Sequence, residues 1–590
     1  LSAATPFGRA AIEKLCAEGL VPLVIGVTGH RDLVPAEVPR IRELVAELFR
    51  GLRERFPDRP LQILSPLAEG ADRLVAEVAL ELGVRVAVPM PMPKSLYVLD
   101  FATEESRQEF ERLCANADAV YELPIATGAT ADRLLEPGRQ RDRQYAQLGV
   151  FLCAHSHMLL AIWDGKASTE VGGTAQVVRF HHDDVMTGYA PVGVVTQHLL
   201  VDDQSDLVYH IVVSRDRPEG TPPAGFEPLS CSWYTTDETE PRTTELPATY
   251  ARIFERTSVF NRDAREHLKR PDARYYPLID DESPIAMNAA TRDINVHFCA
   301  ADSLAIHFQQ LMLRAFRMTH VLAFVMGMMF IFYSDVQSRR PFMVAFFVCF
   351  AATYAIYRFA ARRKWQEKYL EYRALAEGLR VQFYWAVAGV TGDSATKYAH
   401  DNFLQKQDVE LTWIRNVMRV AGIGCDVAPD LNPQGLAFAI REWIGDETGG
   451  GQLKYYRRSM RQYIDRSSQI DRMGQLVGVL VTIILVASVV VASNAFRGLL
   501  FVTLGGLLLL LSVRQSYAFR VAEKELVKQY EFMYRIFRKA RRRLETATSD
   551  TERRRILRVL GESALDEHAE WILLHRGRPL DRGKLWRMES

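Results

Sequence analysis

The sequence lacks several features that would narrow its function quickly. Its seven cysteines (Cys16, Cys114, Cys153, Cys231, Cys299, Cys349 and Cys425) form no CxxC pair. An odd, dispersed set argues against a disulfide framework and a structural zinc site, and points to a reducing compartment. Net charge is nearly absent, since 73 Lys and Arg against 72 Asp and Glu give +1. No overall pull toward nucleic acid or an anionic surface is expected. The opening LSAATPFGRA carries no apolar core, so no signal peptide is expected. Charge is also missing locally. Met318–Ser334 contains no Asp, Glu, Lys or Arg, and Pro341–Ala360 contains only Arg358. The same pattern returns at Gly474–Ser493 and Gly498–Val513.

A helix needs roughly 20 apolar residues, with about 17 as a lower limit, to cross a bilayer core. The four runs therefore read as spans arranged in two hairpins. The mean hydropathy of -0.08 averages these runs with an ordinary polar half. Cationic residues near the ends set orientation. Arg314 and Arg317 precede the first span, Arg358, Arg362, Arg363 and Lys364 flank the exit of the second, and Arg339 and Arg340 lie in the loop. In the second pair, Arg466 and Arg472 precede, Arg514, Arg520 and Lys524 follow, and only Arg497 lies between. Both pairs predict cytoplasmic N- and C-termini in a multi-pass membrane protein. No Asp, Glu or Lys lies deep in a span, which argues against a proton relay or coupled transport. Any pore would be lined by small hydroxyls, with Thr353, Thr482, Ser488 and Thr503 as candidates. Ala323 with Gly327, and Gly474 with Gly478, have the small-xxx-small spacing that allows close helix approach. The basic clusters at 538–539, 541–543 and 553–555 suit a cytoplasmic helix face, solvated or resting on anionic lipid.

Upstream of the spans, short apolar runs alternate with helical periodicity. Pro22–Val27, Leu61–Leu64, Arg85–Val88, Ala119–Leu123 and Met158–Trp163 read as strands, with helices between them. Alternation of this kind implies a parallel sheet with helices on both faces. Ligands of such sheets bind beyond the carboxyl ends of the strands. Three loops there have suitable chemistry: Thr28, Gly29, His30, Arg31 and Asp32; Ser65 with Glu69, Gly70, Ala71, Asp72 and Arg73; and Asp164 and Gly165 with Gly172, Gly173 and Thr174. Glycines allow close backbone approach, and helix N-termini favour phosphate. The carboxylates of Glu69, Asp72 and Asp164 suit ribose acceptors, helix caps or acid/base groups.

In this order, GVTGHRDL, SPLAEGADR and LLAIWDGKASTEVGGTAQVV resemble the SLOG superfamily, the Rossmann-like group that includes DprA and LOG proteins. The resemblance covers roughly residues 20–215, with VYHIVVSR as a late strand. It implies binding of a nucleotide or nucleotide-derived signal. LOG enzymes carry a PGGxGTxxE loop, but here Val171-Gly172-Gly173-Thr174-Ala175 lacks the Pro and the second Gly-Thr, and no Glu falls on the following helix. The departure favours sensing over hydrolysis, and no catalytic residue is assigned. The paired spans and the helix after them, with Tyr372-Arg373, Ala376-Glu377 and Leu379-Arg380, resemble the SLATT family of two-span effectors. That likeness implies pore formation in prokaryotic antiviral conflict.

The expected fold class is α/β: a Rossmann-like parallel-sheet N-terminal domain plus an α-helical transmembrane region with long cytoplasmic helices. The expected domains are 1–285, a nucleotide-binding domain with an irregular extension from about 214; 286–395, a two-span module; 396–451, a linker; and 452–590, a divergent second module. Residues 291 onward read as one helix entering the membrane. The expected partners are membrane lipid, further copies of the chain and a nucleotide second messenger or NAD/ADP-ribose-like ligand, with no nucleic acid. No metal or other cofactor is expected. A membrane-anchored enzyme hydrolysing NAD or a nucleotide, and a constitutive TRPM-like channel with a structural cap, are the alternative readings.

Overall fold

The computed structural model describes residues 20–126, 128–183, 186, 206–236, 242–270, 273–279, 289–335, 338–390, 403–404, 409–427, 432–490, 494–521 and 523–576. Cys16, the ends of the Pro271–Pro284 loop and part of the expected linker lie outside them. The chain forms two compact units. One gathers Leu1–Ser303, Arg373–Gly435 and Leu565–Leu573; the other gathers Leu304–Tyr372, Leu436–Ala564 and Leu574–Ser590. The expected consecutive segments thus give way to units assembled from separate stretches.

In the first unit, β1 (Leu23–Gly29), α1 (Val38–Arg55), β2 (Leu61–Leu64), α2 (Ala71–Glu81), β3 (Arg85–Met90), α3 (Glu104–Ala115), β4 (Ala119–Glu122), α4 (Arg139–His155), β5 (Met158–Trp163), α5 (Thr174–Asp183), β6 (Val208–Val212) and β7 (Cys231–Tyr234) follow in order. They build one sheet of order β4-β3-β2-β1-β5-β6-β7. All pairings are parallel except β6 with β7. β1 reads as a continuous apolar run because all of it but Gly29 is buried, as a central parallel strand requires. Right-handed crossovers put α1 to α3 on one face and, because the order reverses between β4 and β5, α4 on the other. Strand β7 corrects the sequence reading, which placed residues 214–247 in an irregular excursion. Its Trp233 is buried with its ring 4.6 Å from that of Tyr209, and this cross-strand pair holds a four-residue edge strand in place.

Helices α6 (Ala248–Leu268), the start of α7 (Ala289–Asp335), α9 (Trp365–Ala388, preceded by α8, Arg340–Arg362) and α10 (Thr412–Val427) complete the first unit. They meet the amino ends of the strands. Asn261 Nδ2 donates to Val21 O (3.0 Å), the His297 ring Nε2 lies 3.1 Å from Leu20 O, and the His157 ring Nε2 lies 3.0 Å from Asn416 O. Helix α10 departs from the expected linker. Its Trp413, Ile414, Val417 and Met418 are buried, and Ile423 packs with Phe151 and Leu148 of α4. The Tyr372-to-Arg380 signature is an ion network on α9: Arg373 bonds Asp302 (3.4 Å) and Glu377 (2.6 Å), and Arg380 bonds Glu377 (2.5 Å). Burial alone would raise the Glu377 carboxyl, but Arg373 and Arg380 outweigh it and hold the group down at about 2.

Among the described residues, four helices are long and apolar enough to cross a membrane: Ala290–Ser334, Arg340–Ala388, Gly451–Val489 and Gly498–Phe519. They belong to α7, α8 with α9, α11 (Gly451–Val490) and α12 (Asn494–Val521). The protein is therefore read as a membrane protein. Helix α13 (Glu523–Thr546) returns along α11, with Tyr530 against Tyr456 and Tyr463, and α14 (Asp550–Arg576) follows. On the first hairpin, Gln309 Nε2 donates to Tyr369 Oη (3.1 Å), and Phe308 contacts Tyr372. Close approach occurs between α7 and α12. A Cβ on Gly327 would lie 2.4 Å from Leu509, one on Gly505 3.0 Å from Ile331, and one on Gly506 3.3 Å from Met328. Of the small residues singled out in the sequence, Gly327 sits in that contact, whereas a Cβ on Gly478 meets nothing within 4 Å. The candidate pore hydroxyls bond their own helices: Thr353 to Cys349 O (2.8 Å), Thr482 to Gly478 O (3.0 Å), Ser488 to Leu485 O (2.7 Å) and Thr503 to Leu499 O (2.8 Å).

Gly327→Leu is expected to overpack the α7–α12 contact at a cost of about 1–3 kcal/mol. Thermal unfolding of the full chain in detergent checks this, with Gly478→Leu expected to leave the midpoint unchanged.

Candidate functional site

The strand order reverses between β1 and β5, so their carboxyl ends border a topological switch point, where loops leave in opposite directions and a crevice opens. Gly29 pairs with Ile162 across this junction, and His30 N–H donates to Ile162 O at 3.0 Å. The two loops thus bring His30 and Asp164 together. His30 Nε2 lies 3.1 Å from Asp164 Oδ1, within ion-pair reach but off the hydrogen-bond axis. Asp164 Oδ1 accepts the N–H of Lys166 at 3.1 Å, the turn that Gly165 enables at φ +80°. The other oxygen, Oδ2, is buried and has no hydrogen-bond partner among the described residues. A buried carboxylate oxygen without a donor costs free energy, which a donor from water or from a bound molecule would offset. Burial lowers the His30 imidazole below the ordinary histidine value, more than the neighbouring Asp164 raises it. His30 is therefore neutral at pH 7.

The first loop is fixed from beneath. A Cβ on Gly29 would stand 2.4 Å from Ala71 Cβ, and one on Gly70 (φ +81°) 2.4 Å from Arg31 O. Only glycine lets these two backbones touch. Ala71 N–H donates to His30 O at 3.0 Å. That bond takes the first of the backbone donors at the N-terminus of α2. Asp72, in the first turn of α2, is buried with Oδ1 unpartnered. Burial pushes its carboxyl up to about 7, against the lowering influence of Arg31 and the Ala68 backbone.

The crevice is flanked by charge. Arg215 Nε bonds both oxygens of Asp32 (2.8 and 3.0 Å), and Ser214 N–H donates to Glu37 at 2.9 Å, so the segment after β6 is tied to the segment after β1. Lys166 Nζ reaches Glu219 O at 2.5 Å and joins the loop after β5 to the same segment. Arg31 is exposed, with its guanidinium 5.9 Å from the centre of the Tyr145 ring. Tyr145 in turn bonds Asp100, which Arg141 also holds at 2.6 Å. Sequence reasoning missed Tyr145, Asp100 and Arg141. The readable signal was Arg141 and Tyr145 at i, i+4 on one helix face, with no glycine to mark it.

Other predicted site residues have internal duties. Thr28 is buried at the end of β1. Ser65 Oγ donates to Asp72 O (3.0 Å) and shapes its own turn. Glu69 accepts from Ser106 on α3, and Arg73 stacks 4.6 Å over Phe101 while bonding Glu109 at 2.7 Å. These contacts point Glu69 and Arg73 at α3 and away from the β1/β5 crevice. Gly172 is a packing glycine, whose Cβ would stand 2.6 Å from Tyr145 Cβ. Gly173 N–H donates to Glu170 O at 3.1 Å, and Gly173 O accepts from Gln176 at the start of α5, where Thr174 is the first residue. No cluster of three or more His, Cys, Asp or Glu suited to a metal occurs among the described residues.

Asp72 gives a pH prediction. Its folded value, about 7, lies above the unfolded 3.8, so the folded state holds the proton more tightly. Stability from this group is complete below the unfolded value and falls as pH rises toward 7, by up to about 4 kcal/mol. Asp72→Asn is expected to remove that loss, so the variant gains on the wild type in thermal midpoint between about pH 5 and about pH 8. Compared with known proteins, the chain matches no family model and no curated sequence.

Proposed function

We propose that this protein is a nucleotide-sensing membrane effector, an oligomeric pore or channel of a bacterial inner membrane, with a SLOG-like sensor and SLATT-like spans serving antiviral defence. A nucleotide-derived signal binds the cytoplasmic sheet edge at the β1/β5 switch point. The observation that carries this reading is the His30–Asp164 pair, with Asp164 Oδ2 buried and unpartnered. An acceptor at that position suits a ribose hydroxyl, and exposed Arg31 suits the phosphate beyond it. The four apolar helices supply the responding element. Their lack of deep acidic residues or lysine fits passive conduction better than coupled transport.

A second reading, a membrane-anchored nucleotide hydrolase, draws on Asp72. A carboxyl held at about 7 is tuned for proton transfer near neutral pH. Incubating the full chain with NAD, ADP-ribose or nucleoside monophosphates and following product separates the two, since the sensor leaves them intact.

The sensing proposal is tested by dye leakage from liposomes holding the full chain, alongside binding of candidate nucleotides. Leakage is expected to rise with the correct nucleotide. Asp164→Asn is expected to weaken binding roughly 10- to 100-fold, the worth of a charged hydrogen bond. A nucleotide that binds without provoking leakage would refute the pore, and unchanged binding in Asp164→Asn would refute the site.

A further inference from the structure

The second unit contains a cavity of about 740 Å³ among α7, α11 and α12 that the nucleotide proposal does not use. Each helix lends it one face at i, i+3, i+4, i+7 spacing. On α7 these residues are Arg317, His320, Val321 and Phe324, and the series repeats from Arg466 on α11 and from Leu510 on α12. Each face carries one arginine: Arg317, Arg466 or Arg514. Among the described residues, no Asp or Glu lines the cavity.

Helix pairing sets the depth of each group. Gly327 faces Leu509, Gly505 faces Ile331, and Gly474 lies beside Leu511, so α12 runs antiparallel to both neighbours. Counting back from these contacts puts Arg317 and Arg466 at one level, at the mouth. Arg514 lies about 7 Å further in, at 1.5 Å per residue. There its guanidinium stands 5.7 Å from the centre of the Tyr517 ring, which also meets His320. Beyond it the walls are apolar, with Phe324, Met473 and Leu510. The cavity is an open groove, with Met473 and Leu510 exposed, and a cationic end leading to an apolar groove is complementary to a molecule with an anionic head and a hydrocarbon tail.

We infer that this cavity is a binding site for a phosphate-bearing amphiphile, and that its occupant is an anionic phospholipid of the leaflet at that end of the spans. Arg317 and Arg466 clamp the phosphate, Arg514 takes a second oxygen, and one acyl chain lies along Phe324, Met473 and Leu510. Arginine suits this role because its planar donors match phosphate geometry. The lipid joins α7, α11 and α12, so its departure loosens the contact between the first and second hairpins.

Native mass spectra of the full chain in detergent test the assignment, with phosphatidylglycerol, phosphatidylcholine or inorganic phosphate added in turn. Phosphatidylglycerol is expected to be retained and phosphatidylcholine lost, and inorganic phosphate is expected not to displace the lipid. Arg317→Gln and Arg466→Gln are each expected to weaken retention about fivefold. Arg362→Gln and Arg363→Gln, outside the cavity, leave it unchanged. Met473→Trp, which fills the apolar end without altering charge, is expected to lower retention while the protein stays folded. Equal retention of the two lipids, or retention unaffected by Arg317→Gln, Arg466→Gln and Met473→Trp, overturns the proposal. Displacement by inorganic phosphate overturns the lipid assignment in favour of a free anion.

Discussion

Parallel pairing of β1 with β5 is the contact from which the candidate site follows. After β4 the chain has reached one edge of the sheet, and α4 carries it back past three strands before β5 joins β1. The register aligns Thr28 with Ala161 and Gly29 with Ile162, so both strands stop at one level. Their loops then part to opposite sides, and His30 and Asp164 are left facing each other across the gap. A slip of one strand by one residue in that register would turn its side chain to the other face of the sheet and dismantle the pair.

Charge in this protein divides by whether it is satisfied internally. Glu69, Arg73, Glu109 and Ser106 bond one another, with Arg73 Nη2 left without a partner among the described residues, Asp32 pairs with Arg215, and Asp302, Arg373, Glu377 and Arg380 form a linked series. Removing one member of such a buried set leaves its partner uncompensated, which makes these residues structural. Asp72 and Asp164 differ, since each keeps a buried oxygen without a donor. The loop that carries Asp72 is not free to adapt, because Gly29 lies against Ala71 and Gly70 against the backbone of His30 and Arg31.

Much of this was legible in the sequence. The strands from β1 to β6 are short apolar runs flanked by helical periodicity, and the four spans are runs almost without charge. The run from residue 291 into the first span is indeed one helix, α7. Other features were hidden for physical reasons. Four residues of β7 inside a Pro- and Thr-rich stretch carry too little periodicity, and only the cross-strand Tyr209–Trp233 contact reveals them. Helix α10 was hidden by its neighbours, because Pro429, Pro433 and the glycine run suggest a linker while Trp413 and Met418 are buried. His30 and Asp164 were both readable as candidates but not as a pair, since they lie 134 positions apart and only the reversal of strand order joins them. The glycines misled in a consistent way. A sequence cannot say whether the missing Cβ makes room for phosphate or for a neighbouring side chain, and at Gly172 it is Tyr145.

The hydroxyls of Thr353, Thr482, Ser488 and Thr503 each return a proton to a carbonyl of their own helix. None of these bonds ties one span to another. Sliding or rotating one helix past its neighbour therefore breaks none of these four bonds, and between α7 and α12 it is opposed by packing alone, the fit of Gly327, Gly505 and Gly506 against Leu509, Ile331 and Met328 and the His320–Tyr517 ring contact. Fit of that kind is short-ranged and lost within an ångström or two. The spans meet along a slip plane, where resistance is steep at first and then nearly vanishes.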